Sequence, residues 1–365
     1  MAAMSAGKLT NLMRLADAAG RFKMLAIDLR DPLREALARA AGRGADQVGY
    51  EEMAATKTLI TEVLSPHATA ILVDPVYGLP RALKAVPADV GLLAAIEEAA
   101  PERAGPGGKE RRARLVDGWS IAQVKRAGLN AAKLLVHYTP EASAETLAHQ
   151  QRLVRRVGEE CGREDLPFLL ELVTYPLAES SADTPEFARR RPEHTIASAV
   201  EFSRDEYRVD ILKLEFPGDL KYAREYCAGA FDGRERPAVY TRAEVNEFVR
   251  RLDEAAGRPW VILSGGVEIA EFLANLELAA GAGASGFLCG RAIWKDAIPR
   301  YPDRDGMRAF LERDAVDNFR RANAVAESAR PWFDHRWVGG WERIRMPEGE
   351  DSWYRTYAAA ARAGG

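Results

Sequence analysis

Short apolar runs of strand length recur along the chain, at residues 24–28, 70–74, 90–94, 132–137, 168–174, 210–216, 260–264 and 286–289. The run at 90–94 is the least strand-like, because Gly91-Leu92-Leu93-Ala94 also suits the start of a helix. Amphipathic stretches separate the runs. The stretch 51–64 places Met53, Thr56, Leu59, Ile60 and Val63 at helical spacing. Stretches 120–127, with Ser120 as N-cap, 145–160, 185–202, 242–256 and 269–280 continue the series. Gly128, Gly257, Gly281 and Gly283 stand where helices should end. An earlier helix is expected over 9–19, opened by Thr10 or Asn11 and stopped by Gly20.

Near-continuous apolar strands alternating with helices mean a parallel sheet covered on both faces. Eight such units predict an α/β fold, a closed (β/α)8 TIM barrel, over residues 1–300 with its N-terminal helix. A doubly wound open sheet is the alternative. It would need a glycine-rich phosphate loop after the first strand, where this chain has Asp28-Leu-Arg-Asp31. Residues 301–365 read as an extension packed on the barrel, with a helix over 306–328 and then an aromatic segment carrying Trp332, Trp337, Trp341 and Trp353. These tryptophans are expected to cover barrel helices or to form a contact in a homo-oligomer.

Strand side chains alternate between faces, so parity separates the lining of the barrel from the surface under the helices. In 210–216, Leu212, Leu214 and Phe216 form a uniformly apolar face that must meet helices, which turns Lys213 inward. The same reasoning turns Glu171 inward from Phe168, Leu170 and Leu172, and puts Lys133 and His137 on one face of their strand. Adjacent strands lie about 4.8 Å apart, so Lys133, Glu171 and Lys213, on three consecutive strands, can meet. Burial and a neighbouring cation each favour the neutral form of a lysine amine, the form that attacks a ketone. A carboxylate between two lysines can relay the protons of such a reaction. A structural ion-pair plug is the competing reading. Asp28 and Asp74 end the first two strands, at the face where barrel active sites sit. Ser264-Gly265-Gly266 follows the seventh strand and Gly290-Arg291 the eighth. That is the usual phosphate position of this fold, with glycines admitting backbone N–H groups and Arg291 offering a fork.

Composition narrows the function. Lys plus Arg number 51 against 54 Asp plus Glu, a balance of −3 that gives no footprint for nucleic acid or an anionic membrane. No apolar run reaches membrane-spanning length, and residues 1–23 lack a continuous apolar signal core. Cys161, Cys227 and Cys289 are odd in number and far apart, which suggests reduced thiols and a cytoplasmic location. The five histidines, 67, 137, 149, 194 and 335, show no HxH or HExxH spacing, so no metal and no cofactor are expected. His137, at a strand end, is the one set to contact substrate. The basic, glycine-rich segment 103–114 reads as a solvated loop, with a lid over an anionic substrate as its alternative role.

Several segments carry a family resemblance. They are Ala26-Ile-Asp-Leu-Arg30, Ile71-Leu-Val-Asp-Pro-Val-Tyr-Gly-Leu-Pro80, Ala132-Lys-Leu-Leu135, Pro167-Phe-Leu-Leu-Glu-Leu-Val-Thr-Tyr175, Asp210-Ile-Leu-Lys-Leu-Glu215, Leu263-Ser-Gly-Gly-Val267 and Leu288-Cys-Gly-Arg-Ala292. Together they resemble the tagatose 1,6-bisphosphate aldolase family, a class I family that includes sulfofructose-phosphate aldolases. The resemblance implies that Lys213 forms the Schiff base and that Glu171 transfers protons. It further implies that Asp28 and Lys133 handle substrate hydroxyls and the lysine environment. The Ser-Gly-Gly and Gly-Arg segments match a site for a terminal anionic group. Arg30, Asp74, His137, Ser264, Gly265, Gly266, Gly290 and Arg291 are accordingly the candidates for substrate and phosphate binding. The family often carries Asp-Gln-Arg-Gly where this chain has Asp28-Leu-Arg-Asp31, which bears on which hydroxyls or which anion are read. The expected reaction is metal-independent cleavage of tagatose or fructose 1,6-bisphosphate to dihydroxyacetone phosphate and glyceraldehyde 3-phosphate. Alternatives are cleavage of 6-deoxy-6-sulfofructose 1-phosphate, a non-catalytic sugar-phosphate sensor, and an isomerase or epimerase.

Overall fold

Parallel pairing closes eight strands into a ring: β1 (Phe22–Ala26), β2 (Ala70–Val73), β3 (Gly91–Ala95), β6 (Ala131–His137), β7 (Phe168–Val173), β8 (Ile211–Leu214), β9 (Trp260–Ile262) and β10 (Gly286–Cys289). Each pairs with its neighbours in sequence, and β10 returns to β1 with Phe22 opposite Gly286. The computed structural model describes residues 4–79, 81–179 and 181–346, with Tyr354 and Tyr357; Pro80 and Trp353 lie outside the described residues. All eight predicted strands are present, including the ambiguous third.

Two interleaved apolar clusters follow from strand parity. Phe168, Leu170, Leu172, Leu212 and Leu214 belong to the cluster between strands and helices, while Leu169 and Ile211 belong to the one inside the ring. The inner cluster also holds Phe22, Met24, Leu72, Leu93, Val261 and Leu288. Its lower side is closed by Leu12 and Leu15 of α1 (Ala6–Leu15) and by Trp332 and Val338 of the C-terminal segment. The inward-facing floor of the barrel is therefore apolar and its inward charges lie toward the opposite face, while the Lys8–Asp210 and Lys23–Asp17 ion pairs stand around the rim of the floor.

The outer helices are α2 (Asp31–Ala40), α3 (Tyr50–Leu64), α4 (Ile121–Arg126), α5 (Ala144–Arg163), α6 (Pro185–Phe202), α7 (Arg242–Ala255) and α8 (Ile269–Ala282). Ser120, Ser143, Thr184 and Thr241 cap four of them by accepting from the N3 backbone N–H, which satisfies donors that a helix start leaves free. Three expectations change. The first helix starts at Ala6, because the Ser5 hydroxyl accepts from Lys8 N, and it ends at Leu15, because Asp17 bends the chain by accepting from the Ala19 and Arg21 amides. The first barrel unit has two helices, α2 and α3; α2 opens on Asp31-Pro32 and buries Leu33 and Leu37. Segment 103–114 is a two-stranded antiparallel hairpin, β4 (Glu102–Ala104) with β5 (Glu110–Arg112), rather than a free loop. Its Glu110 is buried and accepts from Ser143 N at 2.8 Å, Ser143 Oγ at 2.7 Å and the Thr146 hydroxyl, which fastens the hairpin to the start of α5.

After β10 come α9 (Arg291–Trp294), α10 (Arg304–Phe310), a π-helical turn at Leu311–Ala315 and α11 (Val316–Ala326). The single helix expected over 306–328 is thus continuous but carries one wide turn. Trp332 is 2% exposed in the floor, whereas Trp341 is 42% exposed. No helix among the described residues is long and apolar enough to cross a membrane.

Candidate active site

Register brings the inward charges together. Glu171 of β7 lies opposite Lys213 of β8, and Leu135 of β6 lies opposite Glu171, which sets Lys133 one inward position lower. The Lys213 amine is 2.9 Å from Glu171 Oε1, and Glu171 Oε2 is 2.8 Å from Lys133 Nζ. Lys133 also meets Asp28 Oδ2 at 2.8 Å and Glu97 Oε1 at 2.7 Å. Lys133 is 1% exposed and Lys213 4%, so this is a chain of ion pairs largely withdrawn from solvent.

The charged state of each group follows from these neighbours. Burial opposes a charge on Lys133, but Asp28, Glu171 and Glu97 outweigh it and raise its pKa well above the ordinary lysine value. Lys133 is a fixed cation. Burial likewise works against ionised Asp28 and Glu171, yet Lys133 and Lys213 overcome it and hold both carboxyls below the usual carboxylate range. His137 is pushed the other way, to about 3, by burial and by the nearby Arg111 guanidinium, so its imidazole is neutral. The Cys289 thiol is pushed up to about 12 by burial and is no nucleophile at neutral pH.

A cavity of about 270 Å³ opens above the network, lined by Asp28, His137, Glu171, Lys213, Ser264, Gly265, Gly290 and Arg291 among others. Gly266 lies beneath Arg291: with φ of +82°, a Cβ there would stand 2.8 Å from the guanidinium carbon. The left-handed backbone at that position favours glycine, and the missing side chain lets the guanidinium lie close. Lys133 lies below the cavity rather than in its wall. Arg30 and Asp74 are elsewhere. The Arg30 guanidinium donates to the Glu97 backbone carbonyl. Asp74 is completely buried against Lys57 of α3 and accepts from the Val76 and Tyr77 amides, so the chain has already turned away from the ring there. Lys57 also donates to the Ile27 carbonyl at 2.8 Å, which ties the ends of β1 and β2 together.

Sequence reasoning passed over Glu97 and Lys57, and strand parity set Glu215 on the inward face beside Lys213 without giving it a role. Glu97 stands two residues beyond Ala95 in the same inward parity, just after a strand, which is the signal that singled out Asp28. Glu215 also lines the cavity, and it accepts from Thr174 N at 2.6 Å and Thr174 Oγ1 at 2.7 Å. No grouping of three or more His, Cys, Asp or Glu suited to a metal ion occurs among the described residues.

A model of the DeoC/LacD family aldolase matches residues 22–296. The tagatose 1,6-diphosphate aldolase of Lactococcus lactis subsp. lactis is 32% identical over 332 residues, 90% of this chain and 98% of the relative. Tagatose 1,6-diphosphate aldolase 2 of Streptococcus agalactiae is 33% identical, over 87% of this chain and 95% of that one. Among solved structures, fructose-bisphosphate aldolase from Plasmodium falciparum superposes with a TM-score of 0.65 at 13% identity, over 90% of this chain and 97% of the other, a likeness of fold.

Proposed function

The chain belongs to the DeoC/LacD aldolase family, and from that premise we propose that it cleaves a ketose phosphate through a Schiff base on Lys213. The observation that carries the assignment is the Lys213 amine, 4% exposed and 2.9 Å from Glu171, in the wall of a cavity that Arg291 also lines. Arg291, with the Ser264–Gly265 and Gly290 backbone, holds the phosphate on C1. Lys213 passes one proton to Glu171 and its Nζ bonds to C2 of the ketone; Glu171 returns that proton to the carbonyl oxygen, which becomes a carbinolamine hydroxyl, and takes a second proton from Nζ. Glu171 returns a proton to the departing hydroxyl, which leaves as water, and a protonated imine remains. The C3–C4 bond then breaks. Its electron pair moves into the imine to give an enamine, the 4-hydroxyl proton passes to Glu171, and the aldehyde departs. Protonation at C3 and hydrolysis release the second product. Ionised Asp28 orients substrate hydroxyls, and Lys133 holds Glu171 in place while remaining charged itself.

The favoured substrate is tagatose or fructose 1,6-bisphosphate, which would give dihydroxyacetone phosphate and glyceraldehyde 3-phosphate. The names of the Lactococcus and Streptococcus relatives support it. Cleavage of 6-deoxy-6-sulfofructose 1-phosphate is a second reading, favoured by the presence of a single guanidinium, Arg291, in the wall of the catalytic cavity among the described residues. A phosphorylated substrate and three unpaired cysteines suit the cytoplasm. Borohydride added with dihydroxyacetone phosphate should leave a stable mass increment on the peptide containing Lys213. An unmodified Lys213 would end the proposal, and loss of activity to a chelator would argue for a metal-dependent route. A kinetic comparison of the bisphosphate with the sulfosugar phosphate decides the substrate.

A further inference from the structure

A ketose with an anionic group at each end needs two cationic anchors, and the catalytic cavity offers Arg291 for one. Arg30 is committed to the Glu97 carbonyl, and His137 is neutral. We propose that Arg111 of the β4–β5 hairpin, flanked by Arg103 and Lys109, anchors the anionic group at the end of the substrate remote from Arg291. The proposal rests on the aldolase reading and adds to it the residues that read the far end.

Arg111 reaches a second cavity, of about 400 Å³, that shares Val173, Glu215, Leu263, Ser264 and Gly265 with the catalytic one. It also lines an adjoining cavity of about 430 Å³ together with Arg103 and Lys109. Of the other cations of the second cavity, Arg236 meets Asp183 and Asp232, Lys221 meets Asp219 and Glu271, Arg191 lies 3.7 Å from Glu215, and Arg234 is exposed to solvent rather than desolvated. Arg111 has no carboxylate ion-pair partner among the described residues, and its Nε is buried without a hydrogen-bond acceptor. Its guanidinium instead lies 4.9 Å over the Tyr175 ring, whose hydroxyl accepts from Arg111 N at 3.3 Å. Burial and the neighbouring Arg103 both disfavour its charge. A partly desolvated cation without a counter-ion is costly, and a bound anion removes that cost. The hairpin is fastened to α5 through Glu110, so Arg111 is held in place before any ligand arrives. The group it would take is a phosphate or a sulfonate.

The test compares Arg111→Gln and Arg111→Lys with wild type on three ligands: tagatose 1,6-bisphosphate, tagatose 1-phosphate and 6-deoxy-6-sulfofructose 1-phosphate. Binding by calorimetry and kcat/KM are both read. Arg111→Gln should weaken the bisphosphate about 30-fold or more, chiefly in KM, leave the 1-phosphate within about 2-fold, and be partly rescued by lysine. A loss as large on the sulfosugar identifies sulfonate as an equal ligand, and a smaller one identifies phosphate as the preferred group. Equal losses on the bisphosphate and the 1-phosphate, or no loss on the bisphosphate, overturn the subsite. Dihydroxyacetone phosphate has no far end, so borohydride trapping with it should succeed in both wild type and Arg111→Gln. Failure of trapping in wild type sinks the Schiff-base reading alone, while the calorimetric comparison still decides the subsite.

Discussion

The two ends of the barrel are built from the same alternation of inward residues and filled with opposite chemistry. At the floor, Phe22, Met24, Leu169, Ile211 and Val261 meet Leu12, Leu15, Trp332 and Val338, all apolar. At the mouth, Lys133 and Lys213 are threaded between Asp28, Glu97 and Glu171. The floor gains free energy simply by excluding water. The mouth loses hydration on every group and recovers it only through mutual pairing, so its residues hold position rather than add stability. The contrast separates the two tasks: substitutions below should change stability without chemistry, and those above should change chemistry first.

The largest effect expected is at Lys213. Lys213→Ala should lower kcat by roughly 10⁴-fold or more, with little change in Tm, since a covalent step loses its nucleophile. A variant with near wild-type turnover would erase the distinction between mouth and floor. Lys133→Met comes next. It leaves Asp28, Glu97 and Glu171 without their shared cation, and breaking such a group costs about 3–5 kcal/mol, so both Tm and activity should fall. Retention of full stability would show that the network relaxes by taking up protons. Trp332→Ala tests the other side: truncating a fully buried tryptophan should cost about 3–5 kcal/mol in denaturant unfolding, while kcat at low temperature stays unchanged. A matching loss of kcat would mean that the floor also sets the geometry of the mouth.

Acid tests the same comparison more gently. Asp28 and Glu171 have folded pKa values below their unfolded ones. Their contribution to stability is complete above the ordinary carboxylate range and is lost as the pH falls through the lower folded values. His137, held at about 3, adds no inflection to kcat/KM near neutrality. A profile breaking at the ordinary histidine pKa and abolished by His137→Gln would contradict that. The smallest effect is at Glu271, buried in α8, whose pKa burial raises to about 7. A folded acid with a raised pKa binds protons more tightly than the unfolded chain, so stability should decline as the pH rises from the ordinary glutamate range to about 7. Glu271→Gln should flatten that slope in Tm, and an unchanged slope would assign it elsewhere.

Strand parity carried much of this structure because it needs only alternation along one strand. Lys213, Glu171 and Lys133 turned inward for the same reason that Leu212 and Leu170 turned outward, and the closed ring followed from eight repeats of one pattern. Parity lapses where a strand ends and the chain turns. Asp74 has the sequence position of Asp28, yet its carboxylate caps the following turn and pairs with Lys57, a partner on a helix that no spacing rule links to it. Glu97 was readable by the rule applied to Asp28 and was passed over because its strand was the ambiguous one. Helix α2 was obscured because one barrel unit carries two helices. The hairpin escaped notice because Gly105, Gly107 and Gly108 look like loop, whereas the contact that orders the segment, Glu110 with Ser143 and Thr146, joins residues more than thirty positions apart.

The floor is assembled from both extremes of the described chain. Met4 N donates to the Arg345 carbonyl at 3.0 Å, and Trp332 N donates to the Gly20 carbonyl at 2.8 Å. Contacts so distant along the chain are slow to find during folding, because the long loop must close before they return any energy. Arg291, the last charged residue lining the cavity, precedes Trp332 by some forty positions in the chain. Closure of the floor is thus a late step of folding, set by how soon two distant stretches of the chain meet.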